Sequence, residues 1–205
     1  NKLTYKDADV LSGESYKYKI RANCENGGIY TSKNKTIYYL DTPVLSSATN
    51  AQNGVSVKWE SVNSAEEYIV YRKTANSSWT KVGKTTGVDF TDKTAKSGTK
   101  YFYTVVANSS VAKSSYDNIG VSVYYLATPV LSSIANKNGS VVVEWNSVKG
   151  AKGYNVYRKT AKTGWKRIAQ GANTHCTDKK AKNGEKYYYT VRAGQGSSLS
   201  SYDTA

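Results

Sequence analysis

The chain has 205 residues, with 29 Lys+Arg against 15 Asp+Glu for a formal net charge of +14, two Cys, two Pro and one His. That length holds one large domain or two small ones, and no run approaches the roughly 20 apolar residues a membrane-spanning helix needs. One His and two distant Cys leave little material for a metal site or a nucleophilic triad, so most enzyme classes are poorly served and no cofactor is expected. No charged start followed by an apolar stretch reads as a signal peptide. The chain opens at Asn1 rather than Met, which predicts a piece of a longer precursor.

Taken in order, residues 1–42 carry Asp7, Gly13, Tyr16, Tyr18 and Ala22, each 85 positions before Asp92, Gly98, Tyr101, Tyr103 and Ala107. They are expected to be the last three strands of a copy whose full form follows. Pro43 and Pro129 then sit 86 residues apart in the phrases "YYLDTPVLSS" and "YYLATPVLSS", and an ungapped slide of 43–117 onto 129–203 matches 36 of 75 positions. A period of that length is a whole domain and not a solenoid unit. The expected organisation is therefore 1–42 as a partial copy, 43–128 as a complete one, and 129–205 as one lacking its last strand.

Within a copy the apolar period is two. In "GVSVKW" Val55, Val57 and Trp59 alternate with Ser56 and Lys58, and "TKYFYTVVA" puts Tyr101, Tyr103, Val105 and Ala107 on one face. Turn signals at Asn53-Gly54, Ala75 to Ser78, Ser97-Gly98 and Ser114-Ser115 separate the runs. Seven short strands are predicted, beginning near Leu45, Val55, Tyr68, Trp79, Asp89, Tyr101 and Val121. Seven alternating strands in under about 100 residues predict an all-β fold, an antiparallel two-sheet sandwich of immunoglobulin type repeated in tandem.

Each full copy also resembles a fibronectin type III module of the bacterial extracellular kind. The residues that carry this are Thr-Pro followed by Leu45 or Leu131, Trp59 and Trp145, the phrases "AEEYIVYRK" and "AKGYNVYRK", and Gly-x-x-Tyr-x-Tyr-x-Val-x-Ala at 98–107 and 184–193. The resemblance implies that Tyr16, Tyr101 and Tyr187 fold their hydroxyls back onto a nearby backbone group at a corner. It also implies a secreted or cell-surface protein in which such modules serve as spacers or adhesive units.

Candidate chemistry is sparse. His175 reads as a surface residue, Cys176 as a small core residue in the place of Phe90, and Cys24 as a loop residue unpaired with it. Asp92 and Asp178 recur at a turn, where a carboxylate caps backbone N–H groups. Asn34, Asn76, Asn108 and Asn138 open Asn-x-Ser/Thr sequons, weak signals in so polar a chain.

Recognition offers more. With Tyr68, Val70, Tyr101, Tyr103 and Val105 inward, the other face of the second copy's sheet would display Ile69, Tyr71, Phe102 and Val106, an apolar set that predicts contact with a neighbouring domain or partner unless Trp79 and the stem of Lys73 fold over it. Trp79 and Trp165, opening the fourth strands, could stack on a sugar ring, Trp165 among Lys159, Lys162, Lys166 and Arg167. Equally, a Trp kept at one repeat position packs against the sheet.

Charge is uneven: residues 1–42 hold seven basic and five acidic residues, 43–128 nine and six, and 129–205 thirteen and four. The last copy would attract anionic partners such as a cell-wall polymer, an acidic glycan or a membrane surface. A host surface protein is a further partner class, while no nucleic-acid motif appears. Two functions stand side by side: a non-catalytic spacer or adhesive rod, stiffened by the short Ala127-Thr128-Pro129 join, and a carbohydrate- or wall-polymer-binding module centred on the third copy.

Overall fold

The computed structural model describes residues 3–203, and the alternating runs appear there as eighteen β-strands with no helix among the described residues. The first copy contributes β1 (Ser15–Tyr18), β2 (Arg21–Asn23), β3 (Ile29–Thr31) and β4 (Lys35–Tyr38). The second forms β5 (Leu45–Ala51), β6 (Gly54–Trp59), β7 (Glu67–Lys73), β8 (Thr80–Thr85), β9 (Asp89–Asp92), β10 (Thr99–Asn108) and β11 (Val121–Tyr125). The third forms β12 (Leu131–Lys137), β13 (Ser140–Trp145), β14 (Gly153–Lys159), β15 (Lys166–Gly171), β16 (His175–Asp178), β17 (Tyr188–Gln195) and β18 (Ser198–Leu199).

Two sheets make each full copy. In the second, β5-β6-β9 faces β11-β10-β7-β8, and in the third, β12-β13-β16 faces β15-β14-β17-β18, all paired antiparallel. The period-two residues meet between the sheets: Val55, Val57, Val70, Tyr103 and Val105 are fully buried, as are Val143, Val156 and Val191 to within a few per cent. Each such side chain contributes about 1.5–3 kcal/mol when fully removed from water. At one end of each core a Trp meets a Tyr, Trp59 with Tyr68 at 5.4 Å and Trp145 with Tyr154 at 5.5 Å. Even the irregularities repeat, with register shifts at Leu45/Ser47 and Leu131/Ser133, and at Val70/Tyr71 and Val156/Tyr157.

Strand starts fall within two residues of those expected, but two details differ. Trp79 and Trp165 precede β8 and β15 and do not open them. The described residues of the first copy form four short strands, not three, in two separate pairings, β1 with β4 and β2 with β3. Its long strand breaks at Lys19–Ile20 because the described residues hold no counterpart of β7, which pairs with the matching part of β10 over Phe102–Asn108. For the same reason the described residues of the first copy form no core of their own. Leu40 is its one buried apolar residue among the described residues, and it packs into the second copy's core. Leu126 does the same for the third.

Candidate functional site

The outer face of the second copy's larger sheet is roofed. Ile69 and Val106, cross-strand partners, are 6% and 4% exposed, so the expected apolar display does not hold for them. Tyr71 stacks on Tyr116 at 6.3 Å, and Tyr116 stands against the edge of Trp79 at 6.2 Å. Lys73 lays its ammonium 4.4 Å from the centre of the Trp79 ring and 5.9 Å from Phe102, then donates to the Asn118 carbonyl at 3.1 Å. Attraction between an ammonium and ring faces holds that stem flat across the sheet. Gly120 closes the roof: at φ +73°, a Cβ there would lie 2.7 Å from Trp79.

The third copy repeats this with Tyr157, Tyr202, Trp165 and Lys159, whose Nζ is 4.6 Å from the Trp165 ring centre. Both Trp rings are half-buried with one face under an ammonium, which is not the open platform that stacking on a sugar requires. Lys162, Lys166 and Arg167 are exposed around that third-copy corner. Tyr116 and Tyr202 lie outside the alternating runs, and their one signal in the sequence is the repeated "SSYD" at 114–117 and 200–203.

Inside, the repeated carboxylate does more than cap a turn. Asp92 Oδ1 accepts from the Thr94 N–H at 2.9 Å and the Thr94 hydroxyl at 2.6 Å, while Oδ2 accepts from Arg72 and from the Tyr103 hydroxyl at 2.8 Å. Asp178 is held likewise by the Lys180 N–H at 3.0 Å, Arg158 at 2.6 Å and Tyr189 at 2.9 Å. Burial pushes the Asp92 carboxyl up, but donors from Thr94 and Tyr103 and the Arg72 charge outweigh it and hold it below the ordinary range. Burial and the bond to the carboxylate raise Tyr103 and Tyr189 well above the usual phenol range. In the first copy Tyr18 donates to Asp7 at 2.7 Å and is pushed up to about 12.

All three expected corners form: the N–H groups of Leu11, Lys96 and Lys182 donate to the hydroxyls of Tyr16, Tyr101 and Tyr187 at 2.8, 3.0 and 3.2 Å. His175 is exposed opposite Glu144, Cys24 is exposed, and Cys176 is half-buried at the core edge with its thiol raised by burial and by Asp178. No group of three or more His, Cys, Asp or Glu able to hold a metal occurs among the described residues. No helix there is long and apolar enough to cross a membrane.

Between copies lies a repeated joint that the sequence did not disclose. The Ser97 hydroxyl donates to the Lys149 carbonyl at 2.8 Å and accepts from the Ala127 N–H at 2.9 Å. One period earlier the Ser12 hydroxyl donates to the Asn63 carbonyl and accepts from the Asp41 N–H, both at 3.0 Å. Beside each Ser is a Gly at positive φ pressed on the next copy, Gly98 on Gly150 and Gly13 on Ser64. The second joint adds Asn50, whose amide donates to the carbonyls of Tyr124 at 3.1 Å and Leu199 at 3.0 Å.

No family model matches the chain. Exoglucanase B of Cellulomonas fimi is 28% identical over 222 aligned residues, covering 93% of this chain and 19% of that protein, so the chain spans about a fifth of that relative's length. Similar solved structures include the FN1–FN3 domains of chicken CNTN1, at 16% identity and TM-score 0.36 over 96% of this chain and 75% of that one. A two-domain fibronectin type III segment of chicken tenascin has 16% identity and TM-score 0.38, covering 80% and 97%. An Fn3-like protein from Clostridium thermocellum has 26% identity and TM-score 0.35, covering 42% and 92%. At such scores the fold rests on the strand order within each sandwich.

Proposed function

We propose that these tandem fibronectin type III-like sandwiches are a non-catalytic spacer of a secreted or surface-attached, multidomain bacterial protein, a semi-rigid rod that holds other domains apart or presents adhesive surfaces. The modules begin at Pro43 and Pro129, each drawing one core side chain from the preceding linker. The observation that carries this reading is the Ser-Gly joint repeated between successive copies: a hydroxyl bridging the linker N–H and the next module's carbonyl removes freedom that a Pro alone would leave. The stretch similar to an exoglucanase supports a place in a larger extracellular protein. Small-angle scattering tests the rod: an extended particle whose length grows with module number is expected, and a compact particle with collapsed modules overturns it.

A second reading, binding of a glycan or cell-wall polymer, is favoured by the thirteen basic residues of the third copy against four acidic ones. In that reading Lys162→Ser/Arg167→Ser weakens retention on a glycan array with folding intact. Unchanged retention in that variant overturns it.

A further inference from the structure

The two full copies differ most usefully where one edge of the sandwich opens. In the second, the Phe90 ring on β9 lies against β8 so closely that a Cβ on Gly83 would meet its Cζ at 2.3 Å. The matching positions in the third copy are Cys176 on β16 and Ala169 on β15. Where the second copy holds that ring, the third has a cavity of ≈ 320 Å³ between these two edge strands, at the small end of the roughly 300–1,000 Å³ range of ligand pockets. Ile168, Ala169 and Cys176 supply apolar lining. A second cavity of ≈ 120 Å³ shares Ala169 and Cys176 and reaches Trp145, whose buried indole N–H has no acceptor.

Charge gathers at the same opening. Arg158, Lys166, Arg167, Lys179 and Lys180 line the larger cavity against one carboxylate, Asp178, which Arg158 already engages. Arg167 reaches only the Asn155 amide oxygen at 3.5 Å, and no ion pair among the described residues involves Lys166, Lys179 or Lys180. In the second copy Thr80 and Thr94 stand where Lys166 and Lys180 do. The copy that lost its plug is thus the one that gained cations around the hole. Like charges crowded at a low-dielectric edge repel, and a bound anion relieves that repulsion.

We propose that the β15–β16 cleft of the third copy binds an acidic saccharide unit, a pyranose carrying a carboxylate. The carboxylate faces the lysines, the C–H face of the ring lies on Ile168 and Ala169, and the open mouth lets a polymer continue on both sides. This rests on the glycan-binding reading of the third copy and names its subsite and ligand class; the spacer role needs no ligand and is tested separately by the particle's length.

The experiment uses the full chain with Cys24→Ser, leaving Cys176 as the lone thiol inside the cleft. Trigalacturonate is expected to bind, to slow alkylation of Cys176, and to lose affinity about tenfold or more in Lys166→Thr/Lys180→Thr, as the loss of two charged hydrogen bonds implies. Ala169→Gly/Cys176→Phe restores the second copy's plug while keeping every cation, and is expected to abolish binding by titration. Each of these substitutions installs a residue that the second copy carries at that position in a folded sandwich. Unchanged affinity in the plugged variant overturns the proposal in favour of diffuse charge. Equal binding of neutral maltotriose, of inorganic phosphate or of a polyglutamate peptide also overturns it, as does trigalacturonate binding without protection of Cys176.

Discussion

Asp92 shows how one side chain can tie two sheets together. It ends β9 in the smaller sheet yet receives Arg72 from β7 and Tyr103 from β10 in the larger one. Asp92→Ala leaves a guanidinium and a phenol without their acceptor, and removing one partner of such a buried pair costs about 3–5 kcal/mol. Calorimetry on the full chain should therefore show the second sandwich's transition falling while the third's stays, since their cores are separate. The pH signs follow from the shifts. A lowered carboxylate binds its proton later in the folded state than in the unfolded one. Its contribution is therefore complete above about pH 4 and drains away as pH falls through the folded value. Tyr103, raised, contributes below about pH 10 and loses that contribution as pH climbs towards its folded value. Tyr103→Phe should flatten the alkaline limb of a stability–pH curve, and an unaltered limb contradicts this assignment. The tyrosine corners are what the resemblance to fibronectin type III modules implies, carried by the repeated Gly-x-x-Tyr. The sequence showed Asp92 only as a turn residue, because Arg72 and Tyr103 reach it from two strands of the opposite sheet, a meeting that no local spacing records.

For single elements, period two told which side chains alternate but not what lies on each side. Ile69 and Val106 alternate with the core residues of β7 and β10, and the face they share is buried all the same. The segment after β10 runs back over it, bringing Tyr116 and Asn118 to meet Trp79 and Lys73. Ile69→Ser should then destabilise the second sandwich by about 2 kcal/mol or more, as a buried apolar residue does, where a truly exposed position would change by about 0.5 kcal/mol at most. Tyr116→Ala, stripping the roof, should cost about 0.5–3 kcal/mol and raise the reactivity of Trp79 towards N-bromosuccinimide. Quenching of Trp79 by iodide unchanged in that variant counts against the roof. An irregular loop has no period, so the residues it carries to the sheet are invisible to any reading of alternation.

Across the whole molecule, two joints built alike set how one sandwich follows another. Gly98 at φ +81° places its Cα against Gly150, where a Cβ would come within 3.1 Å of the next module's backbone. Ser97→Ala should leave both unfolding transitions near their places, yet broaden the distribution of inter-module angles in residual dipolar couplings and scattering. An unchanged distribution would mean that Pro129 and the Asn50 contacts hold the joint unaided. Repeat length, strand alternation, the all-β class and the charge excess of the third copy were all determined by sequence alone. They are local or periodic properties that each copy states for itself, and the 86-residue repeat states them twice. Only the tertiary structure decided that the outward apolar face is roofed, that Asp92 joins the sheets, that Ser97 bridges modules, and that Cys176 and Ala169 open a cleft under unpaired lysines. Each of these depends on which strands and loops come to lie side by side, and residues far apart in the chain meet only once the sheets have packed.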